Sequence, residues 1–369
     1  MKRVFALLLL VCLLLCACAK ETVEPTTVPQ PTETTAAPTE PPTEPPTEPP
    51  TEPPTEAPTE PVGFQHPLTG QFLSEPLLNR PYGVVMDNDE KSSGPHWGCG
   101  QADMIWELPH EGGTTRMLGI FSDISDVDRL GPNRSVRPYL LSVSQSFGAL
   151  LVHAGGSPQG YDMLKKTGWD HLDGVKGPNA GKYYHRDQDR LNAGVKSWHT
   201  MYTTGQEILN YTAERGYDNT YDEAANFGLN FAVDATPDGQ AAHSVYVRFK
   251  DNGKKTNLYY QEDTGLYSME QFNSTYVDGN NGEAVYFKNI LVLETGVKTI
   301  DTYGRLAVTL EGSGSGYFAC GGQMVAINWS RSSAEEPFVF TLADGTPLTL
   351  GIGTTYVAVV YNGAPISCE

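Results

Sequence analysis

A run of Pro-Pro-Thr-Glu units from Thr39 to Pro61 divides this 369-residue chain into a part that can fold and a part that cannot. Proline fixes φ and removes a backbone donor, and glutamates spaced every four residues repel one another. With little apolar surface to bury, residues 19–62 are expected to form an extended, disordered Pro/Thr/Glu-rich stalk, mostly polyproline II and at most ~135 Å long. Fourteen of the 27 prolines fall in this stretch. Globular structure is thereby confined to residues 63–369, enough for one large core or two modest ones. The formal net charge of −19 argues against nucleic acid as a partner, because phosphates repel an acidic body at long range.

Ahead of the stalk, the basic segment Met1-Lys2-Arg3 leads into an apolar run from Val4 to Leu15. Twelve apolar residues are too few to span ~30 Å of hydrocarbon, but they suit a signal peptide. The run closes on Leu15-Cys16-Ala17-Cys18, which is similar to a bacterial lipobox: Leu three residues before a cysteine and a small residue immediately before it. Cys16 lacks that small neighbour, so Cys18 is the expected lipidation site. Residues 1–18 then form a lipoprotein signal peptide. The mature protein is expected to be extracytoplasmic, anchored to the outer face of the bacterial plasma membrane, with the membrane as partner through its N-terminal lipid. In the remainder, Cys99, Cys320 and Cys368 show no C-x-x-C spacing, so no metal site is expected and their pairing stays open.

Hydrophobic patterning predicts an α+β protein. Strands are expected at Tyr82–Asp87, Ala102–Glu107, Thr115–Phe121 and Ala149–His153, from short apolar runs or period-two alternation. Helices are expected to open at Ser135-Val136-Arg137-Pro138 and at Ser157-Pro158, where proline suits the first turn, and to stop near Gly148 and Gly168. After about Asn226 the pattern becomes short strand-like runs between Asp-Gly, Asn-Gly and Gly-rich turns. The expected organisation is a mixed α/β domain over residues 63–228, then a predominantly antiparallel β domain over 229–369.

Charged residues in the first domain fall at strand ends and helix starts. Gly131-Pro132-Asn133-Arg134-Ser135-Val136-Arg137-Pro138 brings two guanidinium groups to one helix N-terminus. His153-Ala154-Gly155-Gly156-Ser157 brings glycine N–H groups and a hydroxyl to another. Such termini favour anions through free N–H groups and the helix dipole, and arginine adds geometry suited to phosphate or carboxylate. The candidate ligand-binding set is Arg116, Arg134, Arg137, His153, Gly155, Gly156 and Ser157. The first functional reading is a module binding an anionic cell-envelope component, such as an anionic cell-wall glycan. One alternative is an envelope enzyme acting on glycan or phosphoryl bonds, with Asp103 or Glu107 as acid/base; another is a structural scaffold for envelope partners. The same acids and arginines can equally make buried structural ion pairs. Aromatics around Tyr183-Tyr184 and Trp198–Tyr202 suit either a sugar groove or a core. No cofactor can be named from these motifs.

The segments Met86-Asp87-Asn88, Gln101-Ala102-Asp103, Glu111-Gly-Gly-Thr-Thr-Arg116, Gly131–Pro138 and His153–Ser157 resemble, in order and spacing, the YerB-like family of bacterial lipoproteins. Downstream, Asn289-Ile-Leu-Val, Gly314-Ser-Gly-Tyr317, Asn328-Trp329 and Gly353-Thr-Thr-Tyr-Val357 resemble that family's C-terminal β-rich domain. Asp89 stands where the family tends to have His, and Trp198-His199-Thr200 where Pro-His-Asn is usual. The resemblance implies membrane anchoring and a mixed α/β N-terminal part, and it implies no reaction.

Overall fold

Near-continuous apolar runs turn the residues around Val84, Trp106 and Leu118 into neighbouring strands, because each strand must bury both faces. They form the middle of a mixed sheet in a computed structural model that describes residues 63–369 except 93, 95 and 178–180. The signal-peptide, Cys18 and stalk expectations concern residues 1–62 and lie outside the described residues. Among the described residues the sheet has eleven strands. In chain order they are β1 (Tyr82–Asn88), β2 (Met104–Pro109), β3 (Thr115–Phe121), β4 (Leu150–His153) and β5 (His171–Asp173). There follow β6 (Gln240–Ala241), β7 (Asn289–Thr295), β8 (Gly312–Cys320), β9 (Gln323–Arg331), β10 (Val339–Leu342) and β11 (Thr355–Tyr361). The spatial order is β6-β9-β8-β7-β11-β2-β3-β1-β4-β5, with β10 on the far side of β9.

Strands from either side of residue 228 meet in this sheet, where β11 runs parallel to β2 and pairs Tyr356 with Ile105. The β1–β4 and β4–β5 pairs are also parallel, and the β6–β9–β8–β7 stretch is antiparallel throughout. Alternation sends Val84, Met86, Ile105 and Met117 to one face and Val85, Trp106 and Leu118 to the other. On the first face lies a second, six-stranded antiparallel sheet that includes Ser244–Arg248, Lys255–Gln261 and Leu266–Gln271. Helix α1 (Pro138–Ser146) and Leu164 of α2 (Pro158–Thr167) pack on the second face.

Both expected helix starts form with proline in the first turn, and Gly168 ends α2 in the left-handed conformation at φ 65°. A short helix, α3 (Gln188–Asn192), and a longer one, α4 (Gly205–Arg215), complete the α component of the described residues. Thr204 and Glu207 cap α4 reciprocally. The fold is α+β with a β-rich C-terminal part. No helix among the described residues is long and apolar enough to cross a membrane. Cys99, Cys320 and Cys368 are all free thiols.

Candidate functional site

The C-terminal ends of β1, β4 and β5 open on one edge of the sheet, and the segment Leu130–Val136 is laid across that edge. Its backbone is held on three sides: Asp87 N–H donates to Pro132 O (2.9 Å), Asn133 N–H to Met201 O (2.7 Å) and Ala154 N–H to Arg134 O (2.9 Å). This fixes Arg134 above the end of β1. Its Nη1 donates to Trp198 O at 2.7 Å, and its Nε lies 3.4 Å from Asp87 Oδ1. Asp87 is buried and also accepts from His199 Nδ1. Burial by itself would raise the Asp87 pKa, but the His199 hydrogen bond and the charges of Arg134 and Arg116 hold it below the ordinary value.

The turn after β4 is shaped by glycine. Gly155 has φ 78°, where a side chain is strained, and a Cβ on Gly156 would stand 2.9 Å from Val136 Cγ1. Asp173, at the end of β5, ties this turn down by accepting from the N–H groups of Gly155 (2.8 Å) and Val175 (2.9 Å) and from the Tyr161 hydroxyl (2.8 Å). Beneath it His153 is completely buried. Its Nδ1–H donates to Gly155 O at 2.8 Å, which leaves Nε2 to accept from His171 Nδ1 at 3.0 Å. Burial holds the His153 pKa down at about 4 even with Asp173 nearby, so the ring is neutral at pH 7.

Between these two supports lies a cavity of 610 Å³. Arg134, Lys176 and Arg186 stand against a single carboxylate, Asp162, in its lining. Gly155, Gly156 and Pro158 bring the N-terminus of α2 into the wall. Lys176 Nζ sits 3.7 Å from the centroid of the Tyr161 ring. Trp198 and Val175, both more than half exposed, line the cavity as well. Asn133, also in the wall, is 1% exposed, and neither its carboxamide oxygen nor its nitrogen has a hydrogen-bond partner. Buried side-chain amides are almost always paired, so this one marks a place where a ligand or water can complete the set.

Of the residues expected to bind ligand, Arg134, Gly155 and Gly156 line the cavity; the other four support it. Arg137 is buried, with Nε and Nη2 closed on the Glu111 carboxylate at 2.7 and 3.1 Å. Arg116 is buried and donates to Ser135 O at 2.6 Å. Ser157 caps α2 by accepting from Gly160 N–H at 3.0 Å, and His153 props the turn from below. The Gly155 N–H is already committed to Asp173.

Asp103 and Glu107 lie elsewhere. Asp103 precedes β2, where one carboxylate oxygen accepts from Ser122 N–H at 2.6 Å. Glu107 is fully buried under the second sheet, on the face of β2 opposite Arg116. It takes Lys254 Nζ at 2.6 Å, Tyr356 OH at 2.7 Å, Asn88 Nδ2 at 2.9 Å and Thr115 Oγ1 at 2.5 Å. Asp103 and Glu107 stand four residue steps apart, about 13 Å along extended backbone, which is wider than the carboxylate pair of a glycoside hydrolase. Tyr183 and Tyr184 are core residues, whereas Trp198 does reach the cavity. Lys176, Arg186 and Asn133 are polar lining residues that sequence reasoning missed, along with Tyr161, Asp162 and Val175. Asn133 lies inside the Gly131–Pro138 motif and was legible there; the two cations carry no local signature.

A mixed sheet covered by helices on one face and by a second sheet on the other, with a cleft at the β1–β4–β5 edge, defines the architecture. Residues 68–218 match the N-terminal domain, and residues 245–357 the C-terminal domain, of a family described as protein of unknown function (DUF3048). The chain belongs to this YerB-like family. It is 27% identical over 298 residues to the Bacillus subtilis protein described as "Putative lipoprotein YerB", covering 80% of this chain and 85% of the relative. The crystal structure of YerB protein from Bacillus subtilis superposes with a TM-score of 0.71, covering 82% of this chain and 99% of that one.

Proposed function

We propose that the chain is an extracytoplasmic lipoprotein, tethered through Cys18, whose cleft at the end of β1, β4 and β5 binds an anionic component of the cell envelope. The observation that carries this reading is the cleft's charge. Three cations and one carboxylate line it, although the whole chain has a formal net charge of −19. The N-terminal end of α2 adds its positive dipole, and the unpaired Asn133 amide offers both a donor and an acceptor. The exposed Trp198 ring gives a flat apolar platform against which a sugar face can lie. A phosphorylated or carboxylated glycan satisfies all four features at once.

The test is equilibrium binding of the full-length protein to a phosphorylated glycan and to its dephosphorylated counterpart. The phosphorylated form is expected to bind and the neutral form to bind at least tenfold more weakly, about 1.4 kcal/mol. Arg134→Ala with Lys176→Ala should remove about 1.5–3 kcal/mol for each charged hydrogen bond lost. Equal binding of the two glycans overturns the reading. In cells, Cys18→Ala should shift the protein out of the membrane fraction, and unchanged retention overturns the tether.

A further inference from the structure

The same three parallel strands have a second cavity, of 560 Å³, at their opposite end. Arg80 and Pro81 precede β1, Gly148 precedes β4 and Trp169 precedes β5, and all four line it. The last turn of α1 enters through Gln145 and Ser146, with Phe147 next to them. The far wall comes from Tyr221, Phe227 and the Glu335–Pro337 turn.

Its polarity is the reverse of the first cleft. Asp218, Asp222, Glu335 and Glu336 stand against one cation, Arg80. That guanidinium is already engaged, donating to Asp170 Oδ2 at 2.7 Å and to Gly148 O at 2.9 Å. The helix end facing this cavity is the C-terminus of α1, where the dipole favours positive charge. Phe147, Phe227, Tyr221 and Trp169 supply flat apolar walls of the kind that hold a cation or a ring.

A second, independent observation points to a ligand. Gln145 lines the cavity and is 3% exposed, yet neither its carboxamide oxygen nor its nitrogen has a hydrogen-bond partner. A buried amide left wholly unpaired is rare, and here it borders an open volume large enough for a small molecule.

We propose that this cavity binds a small organic ammonium with an apolar or ring body, the charge held among the carboxylates and the body against the aromatic walls beside Gln145. This site stands apart from the anion cleft and does not depend on it. Carboxylates on an exposed rim attract the cation, the aromatic walls remove its body from water, and the amide fixes its orientation through one hydrogen bond.

The experiment is calorimetric titration of the purified full-length protein with 2-phenylethylammonium and with the neutral 2-phenylethanol, at pH 7 and low ionic strength. The ammonium is expected to bind saturably and the alcohol at least about tenfold more weakly. Asp222→Asn with Glu335→Gln, both on the exposed rim, should weaken the ammonium about fivefold to tenfold without changing the melting temperature. Gln145→Leu, nearly isosteric, should weaken it as well. Should Gln145→Leu fail to fold, the rim variant decides. The proposal is overturned by the absence of saturable binding, by equal affinity for the alcohol, or by a rim variant that binds the ammonium as the parent does.

Discussion

Glu107 with Lys254 and Arg134 with Asp87 are both acid–base pairs built on a central strand, and they differ in whether water reaches them. The first is sealed. Glu107 is 0% exposed; Asn88, Thr115 and Tyr356 reach it from neighbouring strands, and Lys254 from the residue just before a strand of the second sheet. The second is open on one side: the Asp87 carboxylate is buried but the Arg134 side chain keeps 19% exposure in the wall of a cavity. A sealed pair can only hold the fold together, since a substrate would have to displace a whole sheet to meet it. An open pair can hold its own acid from behind and still present a charge in front. The contrast teaches that function follows from the missing fourth side of a charged site, and that residue type alone does not reveal it.

The largest effect is expected where the seal is broken. Glu107→Ala strands the Lys254 ammonium in a dry interior, where burial already pushes its pKa down despite Glu107 beside it. Removing one partner of such a pair should cost about 3–5 kcal/mol in chemical denaturation, while replacing both by uncharged groups of similar shape is far milder. The double variant Glu107→Gln, Lys254→Met should therefore recover much of the loss. If Glu107→Ala melts like the parent, water reaches the pair and the contrast with Arg134 collapses.

Acid should expose the sealed groups next. His153 and His96 are both buried, and burial holds each near a pKa of about 4 against 6.5 in an unfolded chain. A histidine depressed in this way contributes stability that is fully present above the unfolded pKa. That stability is lost as pH falls through the window from 6.5 towards 4, because the unfolded chain takes up the proton first. The gap corresponds to about 3 kcal/mol for each ring at the lower end of the window. Melting temperatures recorded between pH 7 and pH 4 should fall steadily, and His153→Gln should flatten part of the slope. A flat profile would mean that these rings are solvated and that the turn over His153 is not held from below.

How much of this was legible in the sequence follows the same division. β3 falls where the Gly112-Gly113 turn returns the chain, and both helix starts fall where Ser/Arg-Pro pairs place them, because turns and caps are local. The capping box that starts α4, Thr204 to Glu207, is just as local and was readable. Glu107 looked like a catalytic acid because nothing near it in the chain announces Lys254, Thr256 or Tyr356, which arrive from the β-rich C-terminal part to close over it. Arg134 was legible as a lining residue because its motif itself lies across the sheet edge. Lys176 and Arg186 were missed because only the path of the chain after β5 brings them to the same cavity.

The smallest expected change in stability is also the one that sharpens the comparison most. Arg134→Ala leaves the Asp87 carboxylate its hydrogen bond from His199 and the nearby charge of Arg116, so the acid is not stranded. The loss in stability should stay under about 1 kcal/mol, as for a partly solvated pair. Arg137→Ala serves as the internal control. It deprives Glu111 of a two-pronged partner in a buried setting and should cost about 3 kcal/mol or more. Anion affinity should divide the opposite way: lowered by Arg134→Ala, and retained by Arg137→Ala wherever the variant is folded. Thermal melts and glycan binding measured on the same two proteins give the four numbers needed. An Arg137→Ala protein that is stable and has lost affinity would move the binding site from the Arg134 cleft to the Glu111 pair, and with it the whole distinction between open and sealed.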